Sequence, residues 1–203
     1  MKNFLLSVII LVFGLSLGLR SQSYQVTVYN MANTPVFTTN IFKAATAGKN
    51  NDIWVGSANQ GLYRFNGTGW YKATILMNHN IRGLYRSPVD SAIWVAQSGS
   101  SGSTATNGGV NRIADTAYSH TYYGSVLGAP TRFANGIVVD ENNIAWSAHF
   151  PHLTGSTTTG GGIGKFVTGS STGSAILTGL PTGSFAADRR VLSIGKEIGR
   201  AHV

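Results

Sequence analysis

The sequence has no cysteine, only 5 prolines and 7 acidic residues, and charged side chains make up 11% of it. Without cysteine there is neither a disulfide framework nor a thiolate metal or redox site, so this chain must hold itself together by packing. No 3.6-residue apolar periodicity persists beyond the amino-terminal stretch, which argues against helices; Gly, Ser and Thr are abundant, and the chain reads as all-β. The shortage of acids leaves a formal net charge of +8. The cations nevertheless stand singly, at Lys43, Arg64, Arg82, Arg112, Arg132 and Lys165, with Arg189-Arg190 as a pair. A nucleic-acid surface needs a clustered basic stripe with interleaved aromatics, so this scatter indicates an ordinary soluble surface and no nucleic-acid partner.

Residues 1–23 have the three-part layout of a secretory signal peptide: Lys2, an apolar stretch from Phe4 to Leu19 that contains Gly14 and Gly18, then Ser21-Gln22-Ser23. The stretch falls short of the ~20 residues a spanning helix requires, so cleavage near Ser23 is expected rather than retention as an anchor. No cysteine follows it, which removes lipid attachment. The expected product is secreted, periplasmic or held at the cell surface, with no membrane span after cleavage. At the other end, Glu197-Ile198-Gly199-Arg200-Ala201-His202-Val203 resembles the conceptual translation of a widely used sequencing adapter, whose next in-frame triplet is a stop. The alternative is a genuine charged tail. On the adapter reading residues 197–203 are an artefact, and one incomplete domain occupies residues 24–196.

Within that domain three segments align. The first, about residues 41–74, carries Ile53-Trp54-Val55-Gly56 and then Gly61-Leu62-Tyr63-Arg64-Phe65. The second, about 81–123, carries Ile93-Trp94-Val95-Ala96 and then Gly109-Val110-Asn111-Arg112-Ile113. The third, about 133–166, carries Ala145-Trp146-Ser147-Ala148 and then Gly162-Ile163-Gly164-Lys165-Phe166, and another begins near 185–196 with Val191-Leu192-Ser193-Ile194. Each unit offers an apolar strand, an Asp or Asn turn, a Trp strand and a Gly-led strand; a weaker fourth strand, Trp70-Tyr71-Lys72 or His120-Thr121-Tyr122-Tyr123, follows in the first two. The recurrence of Trp matches the ~40–50 residues of a four-stranded propeller blade. The predicted architecture is therefore a partial, truncated β-propeller of about three blades and the start of a fourth. Positions i and i+2 share a strand face. Trp54 with Gly56, Trp94 with Ala96, and Trp146 with Ala148 each set a ring beside a gap, which suits neighbouring blades that interdigitate. Core packing is expected for these pairs, with carbohydrate platforms as the alternative for the rings.

Asn51-Asp52-Ile53-Trp54-Val55-Gly56-Ser57, followed by Gly61-Leu62-Tyr63-Arg64-Phe65-Asn66-Gly67, resembles the two-component-regulator propeller repeat. The second unit departs from its pattern at Ala96-Gln97, and the third resembles streptogramin-lyase-like propeller repeats equally well. The resemblance covers about residues 41–166. It implies a multi-bladed propeller in an exported bacterial protein or in the periplasmic sensor half of a hybrid histidine kinase, many of them from Bacteroidetes-type organisms.

Long insertions follow the Trp strand in the second and third units, at residues 97–108 and 149–161, and should emerge on one face of the disc, often the binding face. Their Ser, Gly and Thr content equally suits a spacer. His149 and His152 form the one close histidine pair and are the loop-face binding candidates. A metal site would need a third ligand and supporting contacts, which the segment lacks, so an exposed pair at a loop entrance is expected, with no metal and no cofactor. No Gly-x-Ser-x-Gly elbow exists, and Gly160-Gly161-Gly162-Ile163-Gly164 opens no helix that could cradle phosphate. Asn66-Gly67 reads as a hairpin turn rather than a glycosylation acceptor.

A noncatalytic exported module that binds a glycan, peptide or protein is the leading functional reading. A propeller lyase or hydrolase with a site completed by further blades, and a periplasmic sensor half, are the alternatives. The adapter reading has a direct check: source DNA read past the codon for Lys196 should continue into further Trp repeats, whereas a genomic stop after Val203 would refute it.

Overall fold

The computed structural model describes residues 25–76, 80–99, 108–114, 119–124, 129–150 and 161–176, with the backbone of short strands at 152–154, 157–159, 193–194 and 201–202. The signal-peptide segment, and residues 197–203 apart from the backbone at 201–202, lie outside this description. Among the described residues every element is a strand except a 3-10 turn at Lys49–Asn51. The first sheet contains β1 (Phe42–Ala47), β2 (Ile53–Ser57), β3 (Leu62–Phe65) and β4 (Trp70–Lys72). The second contains β5 (Asn80–Arg86), β6 (Ile93–Ser98), β7 (Gly109–Ile113) and β8 (His120–Tyr123). In the third, β9 (Ala134–Val139) and β10 (Ile144–His149) are followed by a small hairpin, β11 (His152–Thr154) and β12 (Thr157–Thr159), before β13 (Gly162–Val167) and β14 (Gly173–Ile176) complete the sheet.

Each sheet is a four-stranded antiparallel meander in chain order, and first strands pack on one another, β1 on β5 and β5 on β9. This is an all-β partial propeller with first strands innermost and the ring not closed. Two more strands, β15 (Ser193–Ile194) and β16 (Ala201–His202), pair with each other, and β15 packs on β9 as β9 packs on β5. The third insertion thus contains a hairpin and is not a plain spacer. The third sheet's outer strand, β14, is nearly featureless in sequence, Gly-Ser-Ala-Ile, and sequence reasoning ended that unit at Phe166.

Local chemistry sets the turns. Asn51, Ser91 and Asn143 each lie three residues before the repeat Trp with φ of 65°, 63° and 59°, a left-handed conformation that Asn tolerates better than Ser. Gly61 and Gly109, which lead β3 and β7, have φ of 83° and 126°, where any side chain would be strained. At Asn66-Gly67 the Asn66 Oδ1 accepts bonds from the Thr68 and Gly69 amides, and Gly67 has φ of 94°, so this segment is the hairpin turn.

Pairing register shows how the sheets stack. Trp54 is opposite Thr46 and Arg64, and Gly56 is opposite Ala44 and Leu62, so these residues share one face of the first sheet. That face packs on the other face of the second sheet, joining Trp54 and Leu62 with Ile81, Ile93, Val95 and Ile113 in one core. A Cβ at Gly56 would collide with the Ile81 side chain, so the glycine is the socket for the branched side chain of the next sheet. The second junction repeats the scheme: Trp94, Ala96, Val110 and Tyr123 meet Ile137, Val139, Ala145 and Phe166. Tyr123 stacks on Trp94 at 5.9 Å and reaches across to Phe166 at 5.1 Å. Trp54 and Trp94 are buried, while Trp146, on the far face of the third sheet, is half-buried.

The opposite face of the first sheet, with Val55, Tyr63, Phe65 and Trp70, meets no other sheet among the described residues. It is covered by the amino-terminal segment: Phe37 contacts Phe42, Tyr63 and Trp70 at 5.0–5.1 Å, and Tyr29 contacts Phe65 and Trp70 at 5.8 and 5.5 Å. Cover is incomplete, since Ile53 remains 43% exposed.

Gly56→Ala should overpack the first junction and cost about 1–3 kcal/mol. Combined with Ile81→Ala it should cost less than the sum of the two single changes, as read by urea unfolding; strict additivity would show that the two residues do not meet. Phe37→Ala should lower stability by about 3 kcal/mol by uncovering the first sheet.

Candidate functional site

The polar side chains of the blades fall into three groups. The first lies at the turns before the Trp strands. Arg64 Nε donates to Asp52 Oδ2 at 2.8 Å while its guanidinium stands 5.8 Å from the Trp54 ring centroid. Arg112, paired opposite Trp94, donates to Asp90 Oδ2 at 2.6 Å. In the third blade Lys165, paired opposite Trp146, lies 5.4 Å over that ring, and Trp146 Nε1 donates to Asp140 Oδ2 at 3.0 Å. A turn aspartate, the Trp and the cross-strand cation therefore recur as one cluster. The Asn143 side chain ties the second junction, donating to Asp90 Oδ2 at 2.7 Å and accepting from Ser87 Oγ at 2.7 Å. Burial raises the Asp90 pKa, but bonds from Asn143, Arg112, the Ala92 amide and Ser87 outweigh it and hold the carboxyl well below the usual carboxylate range.

The second group closes the Trp strands at the face from which the insertions leave. Ser57, Gln97 and His149, each three residues after the Trp, are all fully buried. His149 ends β10 at the loop entrance but is not exposed: Trp146 and Ala148 occupy one face of β10, so strand alternation turns His149 inward, opposite Ala134 and Gly162. Its Nδ1 lies 2.8 Å from the Thr131 carbonyl, which can only accept, so Nδ1 carries the proton and Nε2 accepts from Ser147 Oγ at 2.5 Å. A hydroxyl bonded to an imidazole is the geometry of an activated nucleophile. Both residues have zero exposure, however, so no substrate reaches them. Burial pushes the imidazole down to about 4, against the opposing effect of the Thr131 bond. His152 begins β11, where side chains lie outside the described residues, and no group of three or more His, Cys, Asp or Glu gathers among those described.

The third group was not foreseen. The register of the first strand of each four-stranded sheet slips by one residue at the same place: between Phe42 and Ala44, between Ile81 and Gly83, and between the partners of Ala148 and His149. The bulged residues are Lys43, Arg82 and Asn135. Bulges re-aim a side chain that a regular strand would direct into a neighbour. Lys43 and Arg82 are exposed and Asn135 is half-buried. A bulge leaves no compositional mark.

No family model matches the chain, and no curated protein matches it. Among solved structures it is similar to the extracellular domain of a protein described as a hybrid two-component system of B. thetaiotaomicron, with a TM-score of 0.56 and 15% identity over 77% of this chain and 19% of that one. A second likeness is to the extracellular domain of a protein described as a one-component system of the same organism, with a TM-score of 0.34 and 12% identity over 72% of this chain and 23% of that one. The first alignment shows a shared fold. The chain spans only 19% and 23% of the length of these two structures.

His149 carries a pH prediction. With a folded value of about 4 against an ordinary 6.5, the unfolded chain takes up a proton that the folded one refuses. Stability is therefore complete above pH ~6.5 and falls, by up to roughly 3 kcal/mol, as the pH drops toward 4. His149→Gln should be less stable near neutrality and should lose this acid-dependent component in urea titrations; an unchanged pH slope would assign acid sensitivity elsewhere.

Proposed function

We propose that this chain is part of an exported, noncatalytic β-propeller module that binds a ligand at the face where the insertions emerge. The observation that carries the reading is the commitment of the turn aspartates and of the buried histidine to structure. Asp52, Asp90 and Asp140 hold cations or an indole, and His149 is locked between Ser147 and Thr131. Such a frame presents loops and keeps these aspartates and this histidine in structural contacts. The links between β2 and β3, β6 and β7, and β10 and β13 leave the sheets at equivalent positions, which supports a single loop face. Export is supported by the signal-peptide layout of residues 1–23.

A sensor half is the second reading, favoured by the fold shared with an extracellular domain of a two-component protein. It differs from the first in what the bound ligand does, not in whether one binds.

Expression with the native leader should yield a mature amino terminus near residue 24 outside the cytoplasm, read by terminal sequencing. Calorimetric screening against neutral and acidic oligosaccharides and peptides should give saturable binding with the ligand recovered intact. Turnover of a bound saccharide would replace the binding reading with the lyase or hydrolase, and absence of binding to every class would reject it.

A further inference from the structure

We propose that the cavity between the turns of the first two blades binds a free α-amino acid with an apolar side chain, its ammonium group taken by Asp52 and its carboxylate by Lys49. The turns run from β1 to β2 and from β5 to β6, so the cavity opens at the end of the sheets away from the insertions. It is a site separate from the loop face. Its volume is about 250 Å3, with Trp54, Ile93 and Ile113 in its wall. That is below the ~300–1,000 Å3 of sites for drug-sized ligands and suits a small metabolite.

The second junction shows the chemistry that such a place accepts. There Asn143 Nδ2 donates to Asp90 Oδ2 and Asn143 Oδ1 accepts from Ser87 Oγ, each at 2.7 Å, so one side chain gives and takes a bond across adjacent turns. Ser91 is the equivalent residue one blade earlier, three positions before its Trp and with nearly the same φ, 63° against 59°. Its hydroxyl accepts from Arg86 at 2.8 Å, and it makes no hydrogen bond to the first blade. Ser91 lines the cavity, which lies where an amide like that of Asn143 would extend.

Two charged groups at this cavity are left with bonding capacity. Asp52 is 5% exposed, and Arg64 makes both of its contacts, from Nε and Nη2, with Oδ2. Asp52 Oδ1 accepts no hydrogen bond among the described residues. A carboxylate oxygen so enclosed is costly to leave without a donor, and the cavity that Asp52 lines gives a donor its way in. Lys49 lines the same cavity, is exposed, and its ammonium has no partner among the described residues. The Asp52 amide donates to the Lys49 carbonyl at 3.2 Å, yet the two side chains form no ion pair. An acceptor and a cation held at one cavity without meeting suit a molecule that carries both charges, through charge-assisted bonds at each end. The flexible lysine stem can follow the ligand carboxylate.

A divalent cation is the competing ligand, since Asp52 and Asp90 both line the cavity. Arg64 and Arg112 already neutralise these carboxylates, and Lys49 adds a further positive charge. A hard cation needs several oxygen ligands with negative charge to spare, and the apolar wall offers it none. That wall suits the side chain of an amino acid instead.

Isothermal calorimetry on the full chain with leucine, leucinamide, N-acetyl-leucine, glycine and calcium chloride tests this. Leucine should bind. Leucinamide, which lacks the carboxylate, and N-acetyl-leucine, which lacks the ammonium, should each bind ~10-fold or more weakly, glycine should bind less well than leucine, and calcium should not bind. Lys49→Ala should reduce leucine affinity by a similar factor with an unchanged unfolding midpoint, because the residue is exposed. Ser91→Asn should supply the missing amide from the chain itself, abolishing leucine binding without lowering the midpoint. No saturable binding of leucine, equal binding of the three leucine compounds, preference for calcium, or leucine binding indifferent to both substitutions would each overturn the site.

Discussion

The structure depends on one asymmetric contact: the face of a sheet that carries a Trp and a small residue receives the branched apolar face of the next. Because the two faces differ, the contact is heterologous, and it propagates from sheet to sheet with a fixed rotation until a ring closes. Gly56 and Ile81 show the fit at atomic scale, and Tyr123 against Phe166 shows the same fit made with aromatic rings. A sheet that begins the series has an apolar face with no donor. The amino-terminal segment answers this with Tyr29 and Phe37, which lay flat area over Tyr63, Phe65 and Trp70 without forming a sheet of their own.

The turn clusters follow from the same contact. Placing an indole at the centre of each blade fixes its cross-strand neighbour, and that neighbour is a cation in all three: Arg64, Arg112 and Lys165. A cation over an indole is favourable but leaves a charge near the core, and a half-buried charge is tolerated when it is paired and hydrogen-bonded. The turn aspartates provide the pairing for the two arginines. In the third blade the carboxylate binds the indole N–H instead, and the more flexible lysine keeps to the ring face. Asn143 extends this chemistry across the junction, so that side chains of adjacent turns share one hydrogen-bonded network.

The parts of this fold that were legible in the sequence are those that obey a period. The Trp-and-small pairs follow the two-residue alternation of a strand and recur at the length of a blade, so sheet, face and stacking could all be argued from Trp54-Val55-Gly56 and its repeats. The cations looked scattered because each is joined to its aspartate through space, 12 positions away in the first blade and 22 in the second. His149 was placed on the surface because it precedes a loop. Alternation from Trp146 and Ala148 already put it on the opposite face, with buried Ala145 and Ser147, and for residues so close to a strand end the alternation is the better guide. The bulges were invisible for a different reason: one extra residue breaks the period on which every other inference relied.

That break also separates two demands on the first strand. The Trp strand is held on both sides and at both faces, and the Gly-led strand carries the cations that neutralise the turns, so neither has side chains to spare. The first and fourth strands each leave an edge unpaired, but only the first strands of successive blades pack on one another. A regular strand would still send those side chains into the neighbouring sheets, where Ile81 and Ile137 already lie. The bulge separates the two demands: its neighbours keep their places in the junction cores, and the extra residue turns out of the stack. Each blade can therefore change its bulged residue, Lys43 to Arg82 to Asn135 along this chain, without disturbing the packing that holds the blades together.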